Sequence, residues 1–232
     1  MCEVCDRSAR RRAFLTLTAA SLFSGRLPAA GPTPAPAMDP DEALARLQAG
    51  NAQFVEAPSL CASRLSQQRE QLATHQAPWA TIVSCADSRV PPELLFGGLG
   101  LGQLFVARNA GHLPDAATLG TIEYGCSVLD IPLVVVLGHE RCGAVAAACA
   151  VLQGKARFSG FIEPLVAAIV PAARAVADQP GDFLDNAVRE NARRTAQVIA
   201  TRSAPIAKGV ADGKVRVVAA RYDLDSGRVE FL

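Results

Sequence analysis

Leu133-Val134-Val135-Val136-Leu137 is apolar at every position and runs directly into Gly138-His139-Glu140-Arg141-Cys142-Gly143. A strand with one face in water alternates apolar and polar residues, so an unbroken apolar run marks a strand covered on both faces. Such a strand needs helices on either side of its sheet. A second apolar run, at 80–84, ends in the same manner in Cys85-Ala86-Asp87-Ser88-Arg89. Each run thus hands over, at its carboxyl end, to residues that carry chemistry.

The rest of the chain fits that frame. Short apolar runs at 104–107, 215–220 and 229–231 read as further strands, the last two separated by the turn at Asp225-Ser226-Gly227. Helical spacing runs over 116–128, 143–152, 162–177 and 185–201, and a further helix is expected over 67–74. Asp39, followed by Pro40 and Glu42, caps a helix with Leu44, Leu47, Asn51 and Phe54 at helical spacing. That helix must pack on its own core or on a partner subunit. Alternating strand and helix gives an α/β fold with a central, mainly parallel β-sheet flanked by helices. The glycine run from Gly97 to Gly102 lacks the spacing of a nucleotide loop and precedes a strand, so it reads as a turn.

The chain has 232 residues, half of them hydrophobic, which suits one globular domain. Its net charge of +1 leaves no footprint for nucleic acid. The 7 cysteines show no regular framework of disulfide spacing. Residues 1–37 read as an export signal and linker, and 38–232 as the folded domain. Arg10-Arg11-Arg12 precedes a short apolar stretch, 13–23, and small residues follow with cleavage patterns at Ala35-Pro36-Ala37 and Pro28-Ala29-Ala30. Arg11-Arg12-Ala13-Phe14-Leu15 resembles a twin-arginine signal, although Arg10 replaces the usual Ser. That resemblance implies the twin-arginine export machinery as a partner and a periplasmic location, or a cytoplasmic one if the signal is unused. Cys2 and Cys5 fall inside this segment and read as silent.

Cys85, His139 and Cys142 offer two thiolates and an imidazole, and Asp87 a carboxylate; these are zinc ligand types. In open α/β sheets, ligands bind beyond the carboxyl ends of the strands, where Cys85 and His139 fall. Cys142 lies where a helix opens at Gly143, and the positive end of a helix favours a thiolate. Taken singly, each of Cys85, His139 and Cys142 reads better as an ordinary core residue; both motifs together, each placed at the end of its strand, point to a metal. Cys126 and Cys149 stand in apolar helical contexts and read as small core residues. Cys61 and His75 carry no local signal.

Cys85-Ala86-Asp87-Ser88-Arg89-Val90-Pro91, Phe105-Val106-Ala107-Arg108-Asn109-Ala110-Gly111, Glu123-Tyr124 and Gly138-His139-Glu140-Arg141-Cys142-Gly143-Ala144 resemble the β-class carbonic anhydrases. The likeness runs from about Asp39 to Leu232. It implies Zn2+ held by Cys85, His139 and Cys142, with water, hydroxide or Asp87 in the fourth position. Three protein ligands leave one position open, and hydroxide formed there attacks carbon dioxide to give bicarbonate and a proton. Arg89 is expected to hold the Asp87 carboxylate off the metal, and Gly143 to contact substrate. The family implies a homodimer or higher homo-oligomer with the amino-terminal helix reaching across. The alternatives are a non-catalytic zinc-binding module of the same fold, with Asp87 as a permanent fourth ligand, or a carbon disulfide or carbonyl sulfide hydrolase.

This chain departs from the family pattern in places. The bicarbonate pocket of allosteric members uses Trp, Arg and Tyr; the matching positions are Ile82, Arg108 and Tyr124, which argues for the open, non-allosteric type. The family often has a substrate-contacting Gln before the second strand; here Gly98 falls near that position, in a loop one residue longer. The usual Arg-Asn-Ala-Gly-Asn ends in His112, which is a candidate proton shuttle because its pKa lies near neutrality.

Overall fold

A computed structural model describes residues 38–57, 72 and 75–232. The segment read as an export signal lies outside these residues, as does the helix expected over 67–74 apart from Leu72. In chain order the elements are α1 (Pro40–Glu56), β1 (Ala80–Cys85), α2 (Pro92–Leu95), β2 (Leu104–Asn109), α3 (Ala116–Val128), β3 (Leu133–His139), α4 (Gly143–Leu152), α5 (Ile162–Ala175), α6 (Phe183–Arg202), α7 (Ala204–Ala211), β4 (Arg216–Tyr222) and β5 (Val229–Phe231). The strand order is β2-β1-β3-β4-β5. All pairings are parallel except β4 with β5, which is antiparallel.

β3 explains why the sheet is covered on both faces. Successive side chains of a strand point to opposite faces. Leu133, Val135 and Leu137 enter one core with Leu47, Trp79, Ile82 and Phe96. Val134 and Val136 enter the other, with Ile122, Ala192, Ile199 and Ile206. All five β3 side chains are fully buried, each stabilising the fold by about 1.5–3 kcal/mol relative to exposure. A third cluster joins Cys85 and Cys142 to α4, α5 and α6 through Val145, Val166, Ile169 and Val188.

α1 begins where Asp39 accepts hydrogen bonds from the Asp41 and Glu42 N–H groups. It packs on the core of its own chain, with Ala43 and Leu47 fully buried. Asn51 stitches it down by donating to Leu95 O and Gly227 O and accepting from Val229 N–H. A Cβ on Gly50 would overlap the Phe96 carbonyl, so only glycine lets α1 meet the end of α2. No helix among the described residues is long and apolar enough to cross a membrane.

Two elements escape the periodicity reading. α2 is four residues long, too short to show a period. α7 follows α6 with only Ser203 between them, and Ser203 caps it by accepting from Ile206 N–H. The strand ends also differ from the apolar runs. β1 extends to Cys85 and β3 to His139, because ladder hydrogen bonds continue after the side chains cease to be apolar.

The carboxyl end of β4 is tied to α6 by ion pairs. Arg221, nearly buried, donates to Asp185 and Asp223 at 2.7 Å each. Arg189 reaches Asp185 and Glu230. Asp185 lies below its ordinary pKa because Arg189 and Arg221 hold it charged against the opposing effect of burial. A carboxyl depressed by folding stabilises the native state above its unfolded pKa, about 3.9, and that contribution is lost as pH falls further. Thermal melts between pH 7 and 3 should therefore show a steep acid fall in the parent below about pH 4. Asp185→Asn should melt lower at pH 7 and show a shallower acid fall; an unchanged acid slope would remove Asp185 from the linkage.

Candidate metal centre

From β1 the chain crosses to β2 on one side of the sheet, and from β3 to β4 on the other. The connections leaving β1 and β3 diverge, which opens a crevice at the carboxyl ends of this adjacent pair. Cys85 is the last residue of β1 and His139 the last of β3. Cys142 is the N-cap of α4 and makes no capping hydrogen bond with its side chain. The chain turns back between His139 and Cys142 through Arg141, which has a left-handed φ of 51°. Arg141 holds that turn by gripping both oxygens of Asp225, at 2.7 and 2.9 Å.

The result is a compact donor set. One ligand atom each from Cys85, His139 and Cys142 lies within 4.8 Å of the others, and all three residues are buried. The Cys142 and Cys85 sulfurs are 4.0 Å apart. Two sulfurs bound at ~2.3 Å to one tetrahedral zinc lie ~3.8 Å apart, so the spacing fits. His139 Nδ1 is 2.9 Å from Glu140 O. A carbonyl only accepts, so Nδ1 carries the proton and Nε2 keeps its lone pair. Among the described residues Nε2 is buried without a hydrogen-bond partner, as a metal ligand's donor atom would be. Zinc fits these residues.

The electrostatics agree. The Cys85 thiol is pulled well down, first by the hydrogen bond from Cys142 and, against burial, also by His139 and the Gly111 and Asp87 N–H groups. Cys142 is pushed far up because it donates to Cys85 and is buried. One proton therefore leaves the pair readily and the second resists. Two bare thiolates this close in the interior require a cation between them.

Asp87 lies two residues beyond Cys85, with Oδ2 3.8 Å from His139 Nε2. Arg89 grips it with Nε to Oδ1 at 2.9 Å, Nη2 to Oδ2 at 2.8 Å and its own N–H to Oδ1 at 3.0 Å. The Arg89 guanidinium holds the Asp87 carboxyl well below the usual range. Arg108, from β2, donates to Cys85 O and Asp87 O and so clamps the turn that carries them. Of the three positions matching the allosteric pocket, Ile82 is buried and apolar, Arg108 is engaged on backbone, and Tyr124 stacks on Phe105.

Gly143 is the first residue of α4, and beyond its own helix and chain neighbours no described residue lies within 4 Å of where its Cβ would be. The space beside the donor set is thus open. His112 is fully buried, and its Nε2 is engaged by Asn191 at 2.9 Å. Burial pushes it down to about 4, so it is neutral at physiological pH and has no exposed surface of its own from which to pass a proton to water. The glycine loop behaves as a turn, with left-handed φ at Gly97, Gly98 and Gly102. Periodicity reasoning missed Arg108 and Asn191. Asn191 left one signal: it is a polar residue in the stripe Ala187, Val188, Asn191, Ala192, Ala196, Ile199 that α6 buries.

A buried bis-thiolate, mono-imidazole cluster at the switch point of a parallel sheet, with a tethered carboxylate beside it, defines a metalloenzyme class. The family model "Carbonic anhydrase" matches residues 80–229. Carbonic anhydrase 2 of Mycobacterium tuberculosis is 37% identical over 83% of this chain and 93% of its own length. The carbonic anhydrase of Mycolicibacterium smegmatis is 39% identical over 84% of this chain and 94% of its own. Among solved structures, the β-carbonic anhydrase CcaA superposes with a TM-score of 0.65 at 26% identity, over 82% of this chain and 91% of that one. The chain belongs to the carbonic anhydrase family, in its β class.

Metal content tests the donor set. The purified protein should hold one zinc per chain after dialysis against a weak chelator. Cys142→Ala should lose it, with affinity falling beyond the ~10–100-fold that a lost outer-shell partner costs. Full zinc retention by Cys142→Ala would remove that sulfur from the centre.

Proposed function

We propose that this chain catalyses the reversible hydration of carbon dioxide to bicarbonate and a proton, with zinc held by Cys85, His139 and Cys142. The observation that carries this is the unpartnered His139 Nε2, buried beside two sulfurs 4.0 Å apart. Bound zinc supplies Lewis acidity and an acidified water, whose pKa is about 7 in the three-histidine carbonic anhydrases that are the worked case of this chemistry. Asp87 Oδ2, the carboxylate oxygen facing His139, is placed where it would accept a hydrogen bond from a water held there and orient its lone pair. Arg89 keeps both Asp87 oxygens engaged and so keeps the carboxylate from closing the fourth position. The open space at Gly143 admits substrate.

Further copies of the chain are part of this reading. β2 is a sheet edge, and a free edge invites pairing. Beside it, α3 exposes Tyr124 and Val128 to 49% and 59%. Arg11 and Arg12 with the apolar stretch behind them support export through a twin-arginine route to the periplasm.

Stopped-flow hydration on the zinc-loaded protein should show rapid turnover that Cys142→Ala abolishes. Arg89→Ala should lower the rate by about 10²-fold, the cost of a misplaced positioning group. A full zinc equivalent without hydration would overturn the enzyme reading in favour of a non-catalytic module.

For export, cell fractionation should find the parent in the periplasm. The Arg11→Lys, Arg12→Lys double variant should be retained in the cytoplasm; periplasmic recovery of that variant would sink the twin-arginine route.

A further inference from the structure

Beside the metal centre, the chain leaves β2 through a tight turn at 109–113. Gly111 in this turn donates its N–H to Cys85 Sγ at 3.4 Å. An N–H aimed at a thiolate stabilises the sulfur lone pairs, and so sets how much charge that sulfur gives a metal. The direction of this N–H is therefore a property of the centre, and the turn fixes it.

The turn is held from both ends. Asn109 closes it: Oδ1 accepts from Leu113 N–H at 2.7 Å, and Nδ2 donates to Leu113 O and to Thr118 Oγ1. At its centre Gly111 and His112 both have left-handed φ, 80° and 46°. A Cβ on Gly111 would strike Ile169 Cδ1 and Ala144 Cβ, so the turn is pressed against α5 and α4. A left-handed histidine persists only where its surroundings over-determine it.

Asn191 supplies that determination from α6. It is 3% exposed, and its Nδ2 donates to Gly111 O at 3.0 Å while lying 2.9 Å from His112 Nε2. Gly111 O only accepts, which settles the amide orientation: Nδ2 faces it. The second Nδ2 hydrogen then goes to His112 Nε2, and the imidazole proton resides on Nδ1. One amide thus grips the two left-handed residues together, by the carbonyl of one and the ring of the other. His112 Nδ1 is buried and unpartnered, so among the described residues Nε2 is the ring nitrogen that holds the side chain in place.

We propose that Asn191 is a positioning residue of the metal centre: through Gly111 O and His112 Nε2 it fixes the N–H···S bond to Cys85 and so tunes that sulfur as a ligand. This rests on Cys85 being a metal ligand, and it assigns α6, which contributes no ligand, a part in the centre's electronic character. The idea also gives His112 a function distinct from proton transfer, as the far anchor of the amide.

Cobalt(II) in place of zinc gives a thiolate-to-metal charge-transfer band that reports on the sulfur lone pairs. In Asn191→Leu, which keeps the volume and removes both donors, that band should move to longer wavelength. The Gly111 amide proton of the zinc protein should move upfield, and zinc affinity by chelator competition should fall about 10–100-fold. His112→Asn, which keeps the Gly111 bond and removes the ring acceptor, should shift the band in the same direction by a smaller amount. Ile199→Val, a destabilising change two turns further along the same buried stripe, should leave band, amide proton and affinity at parent values. Parent values in Asn191→Leu, or equal shifts in Ile199→Val, would overturn the proposal. A parent protein without any thiolate-to-cobalt band would overturn the metal centre itself, and this role with it.

Discussion

Two thiols meeting in the interior are the constraint around which the rest of this structure is arranged. Cys85 and Cys142 come from segments 57 residues apart, yet their sulfurs lie 4.0 Å from one another. As a neutral pair they make one weak hydrogen bond. As ligands they carry two negative charges that, among the described residues, no buried lysine or arginine beside them offsets. The cationic side chains nearest the centre, Arg89 and Arg108, are committed to Asp87 and to backbone carbonyls. A dication between the sulfurs resolves the problem in charge and in distance at once, and His139 Nε2 completes the set.

Sheet topology brings these groups together, and the turns that follow the strands aim them. The switch between β1 and β3 opens a crevice at the carboxyl ends of two adjacent strands. Within it, three locks fasten the turns around the ligands. Arg108 clamps the backbone on either side of Ala86, Asp225 clamps the reversal at Arg141, and Asn191 clamps the turn behind Cys85. The locks come from β2, from the β4–β5 connection and from α6, so elements remote in sequence share the task. The Asn191 bond is buried while the Arg141–Asp225 pair is exposed, and with the turns fastened in this way the donors keep fixed separations, as a metal site needs.

How much of this could be read without coordinates depended on whether the information was local. The apolar run at 133–137 announced a doubly covered strand, and the helices at 116–128 and 143–152 are present with those bounds. The Cys85, His139 and Cys142 motifs were legible because each stands where a strand or helix pattern changes. Arg108 was visible as part of a family motif, but its grip on Cys85 O and Asp87 O depends on the β1–β2 register, which pairs Ser84 with Arg108. Asn191 was harder still, since its partners are 79 and 80 residues away. His112 shows the limit most plainly. A histidine next to a site motif suggests titration near neutrality, and only burial and the Asn191 contact turn it into a neutral structural anchor.

Asp87 stands between two partners that want the same oxygens. Oδ2 accepts from Arg89 Nη2 at 2.8 Å and lies 3.8 Å from His139 Nε2. Carboxylates are zinc ligands in their own right, so a carboxylate placed this close to the donor set would close it unless something else held it. Arg89 meets that requirement with a bidentate grip, the strongest geometry available to a carboxylate. Because Arg89 is half exposed, its hold is weakened by solvent. Asp87 is thereby kept near the metal position without being locked away from it. A fully buried arginine would fix the open arrangement permanently; the absence of any arginine would abandon it. The half-exposed pair thus leaves the Asp87 carboxylate beside the donor set with both its oxygens held by Arg89.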